Sequence, residues 1–485
     1  MTVATTRDVV AGRGPASLAP AGEDAASGRG GGRLGWLVRA RGWVWTAVGS
    51  RWSVPVVWGS FALIALATLL VTSSPAHRVW AGGALLGYGA AALVTAGWTW
   101  WSASTYGGPD GPAGPRPGVP GVATGCAVLG SVVAPLLVLT VSGVTQPEVR
   151  VTEDAGRLLV TTGTPYLSDP TEVYDHNPHL PALAVFGLPR VLLGPGVAGD
   201  PRWWFAVFFL GTVALAVRVA GGSAGRLARP SGWRLLPVLL CCPLVALPVV
   251  VGGVDLPTIG LTCLSLALAS RGRAGSAGLA VGLAVTVTVK WMAVPALVVV
   301  CALLAGRFGA RRALLGALVG GGAVAAVTVP ALLVDPSAFV SHVVRFPPGL
   351  TEVSSPAASP LPGHLLSTLV PGGPALSLVL LGLAAGLLGL WTLRRPPRDL
   401  REAVTLLATG LTVAVLLMPA TRFGYLAYPV ALLFFLIACR PEVMRAAPRR
   451  PPAPAAAQIR GTGPHARPGA GTGVRQPLSS LGGEG

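Results

Sequence analysis

Long apolar runs alternate with short polar or basic stretches along this 485-residue chain. A membrane-spanning helix needs about 20 apolar residues, fewer where neighbours shield it. The runs 54–74, 79–101, 122–143, 203–220, 235–253, 313–333, 374–393, 402–418 and 424–439 read as spans on that measure. Residues 256–270 form a shorter run between Asp255 and the basic pair Arg271 and Arg273. Residues 275–306 are too long for one crossing, and basic clusters flank both ends. Two short helices with Lys290-Trp291 at their tip keep both clusters on one side. One long tilted helix is the alternative, and it would put a basic cluster outside. The hairpin closes the topology: an all-α polytopic membrane protein, about 12 transmembrane helices with large outer loops and both ends cytoplasmic.

The two widest interruptions of the apolar pattern are 144–202 and 334–373, both placed on the outer face by this topology. Seven of the chain's 18 acidic residues fall between Glu148 and Asp200. Composition fits the membrane reading. Charged residues make up 11% and mean hydropathy is +0.65, against about 25% charged in soluble domains. The net charge of +18 comes from arginines at both ends and in short loops. That is the pattern of orientation by cytoplasmic positive charge, and nucleic acid is not the expected partner. Residues 1–52 and 440–485 are rich in Gly, Ala, Pro and Arg and are expected to be disordered cytoplasmic segments flanking a transmembrane domain at 53–439. The six cysteines lie in or beside apolar runs and read as small hydrophobes.

Candidate chemistry gathers on the outer face. Glu153 and Asp154 open a helix-compatible run, followed by the turn Gly163-Thr164-Pro165-Tyr166. Then comes Tyr174-Asp175-His176-Asn177-Pro178-His179-Leu180-Pro181, which leads into an apolar stretch suited to the interface. Lys290 is the only lysine in the chain and sits within an apolar run, where an ionisable group is costly unless it works. It is a candidate for a lipid phosphate, or else a snorkelling helix-end residue. Arg422 lies on a short outer turn with Tyr425 and Tyr428, against the positive-inside trend. Arg345 is a further phosphate candidate. Asp255 could touch a sugar or a metal, or cap the helix that follows it. His176 and His179, with Asp175, are a weak divalent-metal signal on a non-helical segment, and no metal ligand is assigned.

The order of acidic residue, short helix, Gly-x-Pro-Tyr turn and Tyr-x-x-Asn-Pro-x-Leu-Pro entry resembles the polyprenyl-phosphate-dependent membrane glycosyltransferases of the GT-C superfamily. It is most similar to the mannosyltransferases of glycosyltransferase family 87. Two more spans precede the acidic loop here than is usual in that superfamily. The resemblance implies a GT-C-like bundle that transfers a hexose, mannose above all, from a polyprenyl-phosphate sugar to a cell-envelope glycan or lipid on the outer face. It implies Asp154 as the general base, with Glu153 as fallback. Tyr166, Tyr174, Asn177, His179, Asp255, Lys290, Arg345, Arg422 and Tyr425 are its expected substrate-binding residues. The lipid-linked donor is then a substrate, no cofactor is certain, and a divalent metal is an open possibility. A bacterial source with a polyprenyl-based envelope is expected from the composition.

The chain carries no phosphate-binding glycine loop, dinucleotide glycine motif or serine-hydrolase elbow. The glycines at 320–322 and 382–386 read as helix-packing positions. A transporter or lipid flippase is the alternative function, and a non-catalytic scaffold is a third. Transporters place ionisable groups mid-membrane in broken helices, whereas the polar candidates here lie in outer loops.

Overall fold

The structure is a computed structural model, and it describes residues 52–106, 119–221, 230–287, 292–347, 351 and 359–439. Both ends of the chain, with the disorder expected there, lie outside the described residues. So do Lys290 and Trp291.

The described residues are all helical apart from turns and loops. The first helices are α1 (Ser53–Val71), α2 (Pro75–Tyr106) and the continuous pair α3 (Val119–Val128) and α4 (Ala134–Ser142), joined by a π-helical stretch at Leu129–Val133. Next come α5 (Pro147–Thr162) and α6 (Leu188–Leu193), then α7 (Pro201–Gly221), α8 (Pro230–Cys241), α9 (Pro243–Val251) and α10 (Leu256–Ser270). The set continues with α11 (Ala274–Val287), α12 (Val294–Phe308), α13 (Ala310–Val334), α14 (Pro336–Phe339) and α15 (Pro362–Leu369). It closes with α16 (Gly373–Arg394), α17 (Leu400–Leu417) and α18 (Ala427–Ala438). Among the described residues seven helices are long and apolar enough to cross a membrane, and each apolar run of the sequence contains helix.

Proline and glycine punctuate the helices as their chemistry requires. Pro147 opens α5, where a missing N–H costs nothing. Gly143 and Gly163 close α4 and α5 at φ 68° and 79°, a left-handed conformation that glycine reaches without strain. The run 235–253, expected as one span, is instead two helices. Pro243 drives Cys242 into an extended conformation (φ −61°, ψ 124°), and the helix restarts after it. The run 275–306 resolves into α11 and α12, as the hairpin reading expects and the single tilted helix does not.

Helix α10 is buried along nearly all its length, which explains why a 15-residue run is so uniformly apolar. Glycine lets its neighbours approach closely. A Cβ on Gly278 or Gly282 of α11 would meet the Gly316 or Gly320 oxygen of α13 at 2.2 or 2.5 Å. Gly382 and Gly386 meet nothing within 4 Å, so only Gly320 of the glycines singled out by spacing serves helix packing.

Polar contacts sort the loops into two faces. Gln146 reaches His77 at the start of α2, Arg422 reaches Glu148, Tyr428 reaches Asp255, and Ser168 reaches Asp335. On the opposite face Arg271 donates to the carbonyls of Val219 and Ala220, and Arg312 to that of Gly272. The acidic loop, Asp255, the 335–347 segment and the Arg422 turn therefore share one side.

Candidate functional site

Helix α5 lies across the acidic face. It buries Val149, Thr152, Ala155 and Gly156, a 3.6-period stripe that packs on the 3-10 segment Pro181–Gly187. The approach is close: a Cβ on Gly187 would stand 2.1 Å from the Thr152 carbonyl oxygen, and one on Gly156 would stand 2.5 Å from the Gly187 carbonyl carbon. Below it, Arg202 is fully buried and binds Asp200 through two guanidinium nitrogens, at 2.9 and 2.6 Å. Arg202 also donates to the Val144 carbonyl at 3.2 Å. That clamp ties the end of α4 to the start of α7 and fixes the floor under α5.

Glu148 stands in the first turn of α5, where a carboxylate also faces the positive end of the helix dipole. Its side chain pairs with Arg422 from the turn between α17 and α18, and the two side chains are 22% and 35% exposed. Burial alone would press the Arg422 guanidinium down, but Glu148, Tyr425 and Asp255 outweigh it and hold it above its usual value. Tyr428, which is buried, donates to Asp255 Oδ1 at 3.1 Å. The Gln146 amide, two residues before Glu148, lies 3.2 Å from Nδ1 of His77. The Arg422 turn is braced from the second polar loop: Ser359 N–H donates to the Thr421 carbonyl, and His364 lies 2.9 Å from the Pro419 carbonyl. Glu148, His77, Asp255, Arg422, Tyr425 and Tyr428 thus meet at one place, drawn from four separate stretches of the chain.

The expected base lies elsewhere. Asp154 is exposed on α5 and pairs with Arg157 at 2.8 Å, an i,i+3 surface contact. Glu153 is half-buried and 3.6 Å from Arg190. Burial pushes its carboxyl up, Arg190 opposes this, and Asp200 and Asp154 add to the rise.

Three other candidates turn out to hold the loop together. Tyr166 is buried and donates to the His179 carbonyl at 2.8 Å. Asn177 donates its side-chain amide to the Pro165 carbonyl, and its side-chain oxygen accepts from His179 N–H. The Asn177 backbone N–H donates to Nδ1 of His342 at 2.8 Å, and Nε2 of His342 faces the Leu167 carbonyl at 2.8 Å. His342 is therefore the latch between the two polar loops. Burial pushes its pKa down, the Leu167 carbonyl pushes back, and His176 lowers it further. Tyr174 and Arg345 are exposed on the surface and touch neither group.

A metal does not fit the His176 region. His176 stacks on Phe346 at 4.4 Å and faces the Glu172 carbonyl, while Asp175 accepts from Thr171 and Glu172. Among the described residues no group of three or more His, Cys, Asp or Glu side chains is placed to hold a metal ion.

Residues 180–419 match the model of Glycosyltransferase family 87, the family that the loop motifs resemble. Asp255 lies inside the match, Arg422 just beyond it, and Glu148 and His77 before it. No curated protein matches the chain. Two solved structures of ArnT from Cupriavidus metallidurans are similar: one bound to undecaprenyl phosphate, at 20% identity and TM-score 0.43, and one in the apo state, at 19% and 0.42. Each alignment covers 65% of this chain, and 60% and 59% of those chains respectively. The chain thus spans less than two thirds of their length.

Proposed function

With residues 180–419 matched to glycosyltransferase family 87 as the premise, we propose that the chain is a membrane glycosyltransferase working at the Glu148–Arg422 cluster. Arg422 binds the phosphate of a polyprenyl-phosphate sugar. Its guanidinium suits phosphate geometry and stays charged at any working pH. Glu148 takes the proton from the acceptor hydroxyl. The hydroxyl oxygen bonds to the anomeric carbon, the bond from that carbon to the phosphate oxygen breaks, and the polyprenyl phosphate leaves with the electron pair. Asp255, oriented by the Tyr428 hydroxyl, contacts sugar hydroxyls, and Tyr425 closes the turn behind Arg422. The sugar proposed is a hexose, mannose in the first instance. The acceptor is a glycan or lipid of a bacterial cell envelope, met on the outer face.

The ion pair itself carries this reading. A carboxylate and a guanidinium already joined at the membrane edge provide both the base and the phosphate ligand. Entry of the donor phosphate draws Arg422 toward the new anion and releases Glu148 for the acceptor. Glu153, half-buried and with its carboxyl pushed up, is the second candidate for the base.

The test uses membranes carrying the full chain and a panel of labelled polyprenyl-phosphate sugars. Transfer of label to an endogenous envelope acceptor is expected, with mannose preferred, and Arg422→Gln should abolish it. Movement of the labelled donor between leaflets without transfer would overturn the reading in favour of a flippase.

A further inference from the structure

The face opposite the cluster presents a different chemistry. Between Leu256 and Val334 the chain holds no Asp or Glu, yet it carries Arg271, Arg273, Arg307, Arg311 and Arg312. Arg271 and Arg273 sit on the turn between α10 and α11, and Arg307, Arg311 and Arg312 on the helix ends that flank the turn between α12 and α13. The turns are fastened together: Arg312 Nη1 donates to the Gly272 carbonyl at 3.0 Å, and the Phe308 ring packs against the site a Cβ on Gly272 would occupy, 3.1 Å away. Gly272 is at φ 71°, so glycine is what lets that turn form. Arg271 is anchored to the end of α7 through the Val219 and Ala220 carbonyls.

Among the described residues no Asp or Glu pairs with these like charges, and they call for a counter-charge from outside. Arg307 and Arg273 both press the Arg271 guanidinium below its usual value, after burial, which is the largest cause. The two acids described on this face are already engaged. Asp399 accepts from Glu402 N–H, and Glu402 accepts from Arg398 N–H, a reciprocal cap at the start of α17. Membrane orientation by positive charge asks only that arginines stay on one side. It does not ask that two be tied to backbone carbonyls, with Arg307 and Arg273 close enough to Arg271 to act on its charge.

We infer that these two turns form a binding site for the phosphate of an anionic lipid headgroup. Arg271 and Arg312 act as the frame, and Arg273, Arg307 and Arg311 are the ligands. A basic pocket between helix ends at the membrane surface is the chemistry that recognises such headgroups, and a guanidinium meets phosphate through paired N–H donors. The inference does not depend on the transferase reading.

The experiment is lipid retention by the purified full chain, measured by native mass spectrometry with phosphatidylglycerol and with phosphatidylcholine. Wild type should retain phosphatidylglycerol preferentially. Arg273→Gln/Arg307→Gln/Arg311→Gln, which leaves the frame intact, should retain it about a hundredfold less, at roughly fivefold for each arginine facing an anionic surface. Labelling of a cysteine introduced at the exposed loop residue Asp169 (Asp169→Cys) should be unchanged, which shows that the variant keeps wild-type orientation. Equal retention of both lipids, or a variant that retains phosphatidylglycerol as wild type does, overturns the proposal. Displacement of the lipid by millimolar inorganic phosphate overturns it too, since the site would then be one for a soluble phosphate.

Discussion

Replacing Glu148 by Gln keeps the shape of the side chain and removes its charge, so its effects on stability and on chemistry can be separated. Leaving a buried charge without its partner costs about 3–5 kcal/mol, whereas an exposed pair is worth about 1 kcal/mol or less. The Glu148–Arg422 side chains are 22% and 35% exposed, between those limits, and Asp255 still lies near Arg422. A stability loss of about 1–2 kcal/mol follows, roughly a few degrees in Tm for a protein of this size. The chemical loss is larger. A positioned general base contributes about 10²–10⁴ in rate, or roughly 3–5 kcal/mol of barrier. The assay is initial-rate transfer of labelled sugar from a polyprenyl-phosphate donor, normalised to folded protein in the membrane. Glu148→Gln should fall to about 1% of wild type or below. Asp154→Asn loses only an exposed i,i+3 pair with Arg157, worth about 0.3–0.5 kcal/mol, and should keep at least about half the rate. If Glu148→Gln retains more than about a tenth of wild-type activity, Glu148 is not the base. Loss in Asp154→Asn with survival of Glu148→Gln would return that role to Asp154 and detach the chemistry from the Arg422 cluster.

Three further outcomes follow from the geometry. Gly187→Ala places a methyl group 2.1 Å from the Thr152 carbonyl oxygen. It should destabilise by about 1–3 kcal/mol and lower Tm in detergent, with kcat falling as α5 is displaced; an unchanged Tm would contradict the close packing. Tyr428→Phe removes the bond to Asp255, about 1.5 kcal/mol for a charge-assisted contact, so donor KM should rise about tenfold with kcat nearly held. His342 is held below its unfolded pKa by burial and accepts the Asn177 N–H on Nδ1. The latch is therefore fully stable above about pH 6.5 and weakens as pH falls below it. Amide exchange across 163–181 should accelerate in acid, and His342→Gln should remove that pH dependence.

The helices were legible because lipid leaves the backbone few choices: apolar runs of the right length must pair their N–H and C=O groups internally. The hairpin at 275–306 followed from charge alone, since two basic flanks on one side require an even number of crossings. The break at Cys242 was less visible, because 235–253 is apolar throughout and only Pro243 records it. The site was legible in part. Arg422, Tyr425 and Asp255 stood out as polar residues on very short turns, and they do come together. Tyr166, Asn177 and His179 stood out through the loop motif that carries the family resemblance, and they hold the loop itself, an arrangement that depends on His342, some 165 positions away from Asn177.

Glu148 was passed over although α5 carried the signal. Reading acids by motif favours the adjacent pair Glu153-Asp154. Reading them by helical phase sets Asp154 aside and leaves Glu148 and Glu153. Val149, Thr152, Ala155 and Gly156 recur at spacings of three and four and form the buried stripe. Asp154 lies two positions from Thr152, about 200° around the helix, and must face away from that stripe. Glu148 lies one turn before Thr152 on the same side, and its position in the first turn of the helix adds a favourable dipole. The residue that follows Pro147 is thus an inward carboxylate of this helix, alongside the half-buried Glu153, and an arginine on a distant turn is its natural counter-charge. His77 follows by the same logic, because a helix entering beside Gln146 brings the imidazole of α2 to within 3.2 Å of that amide. The spans that precede the acidic loop therefore do more than add length. One of them, α2, supplies a side chain to the group on which the proposed chemistry depends.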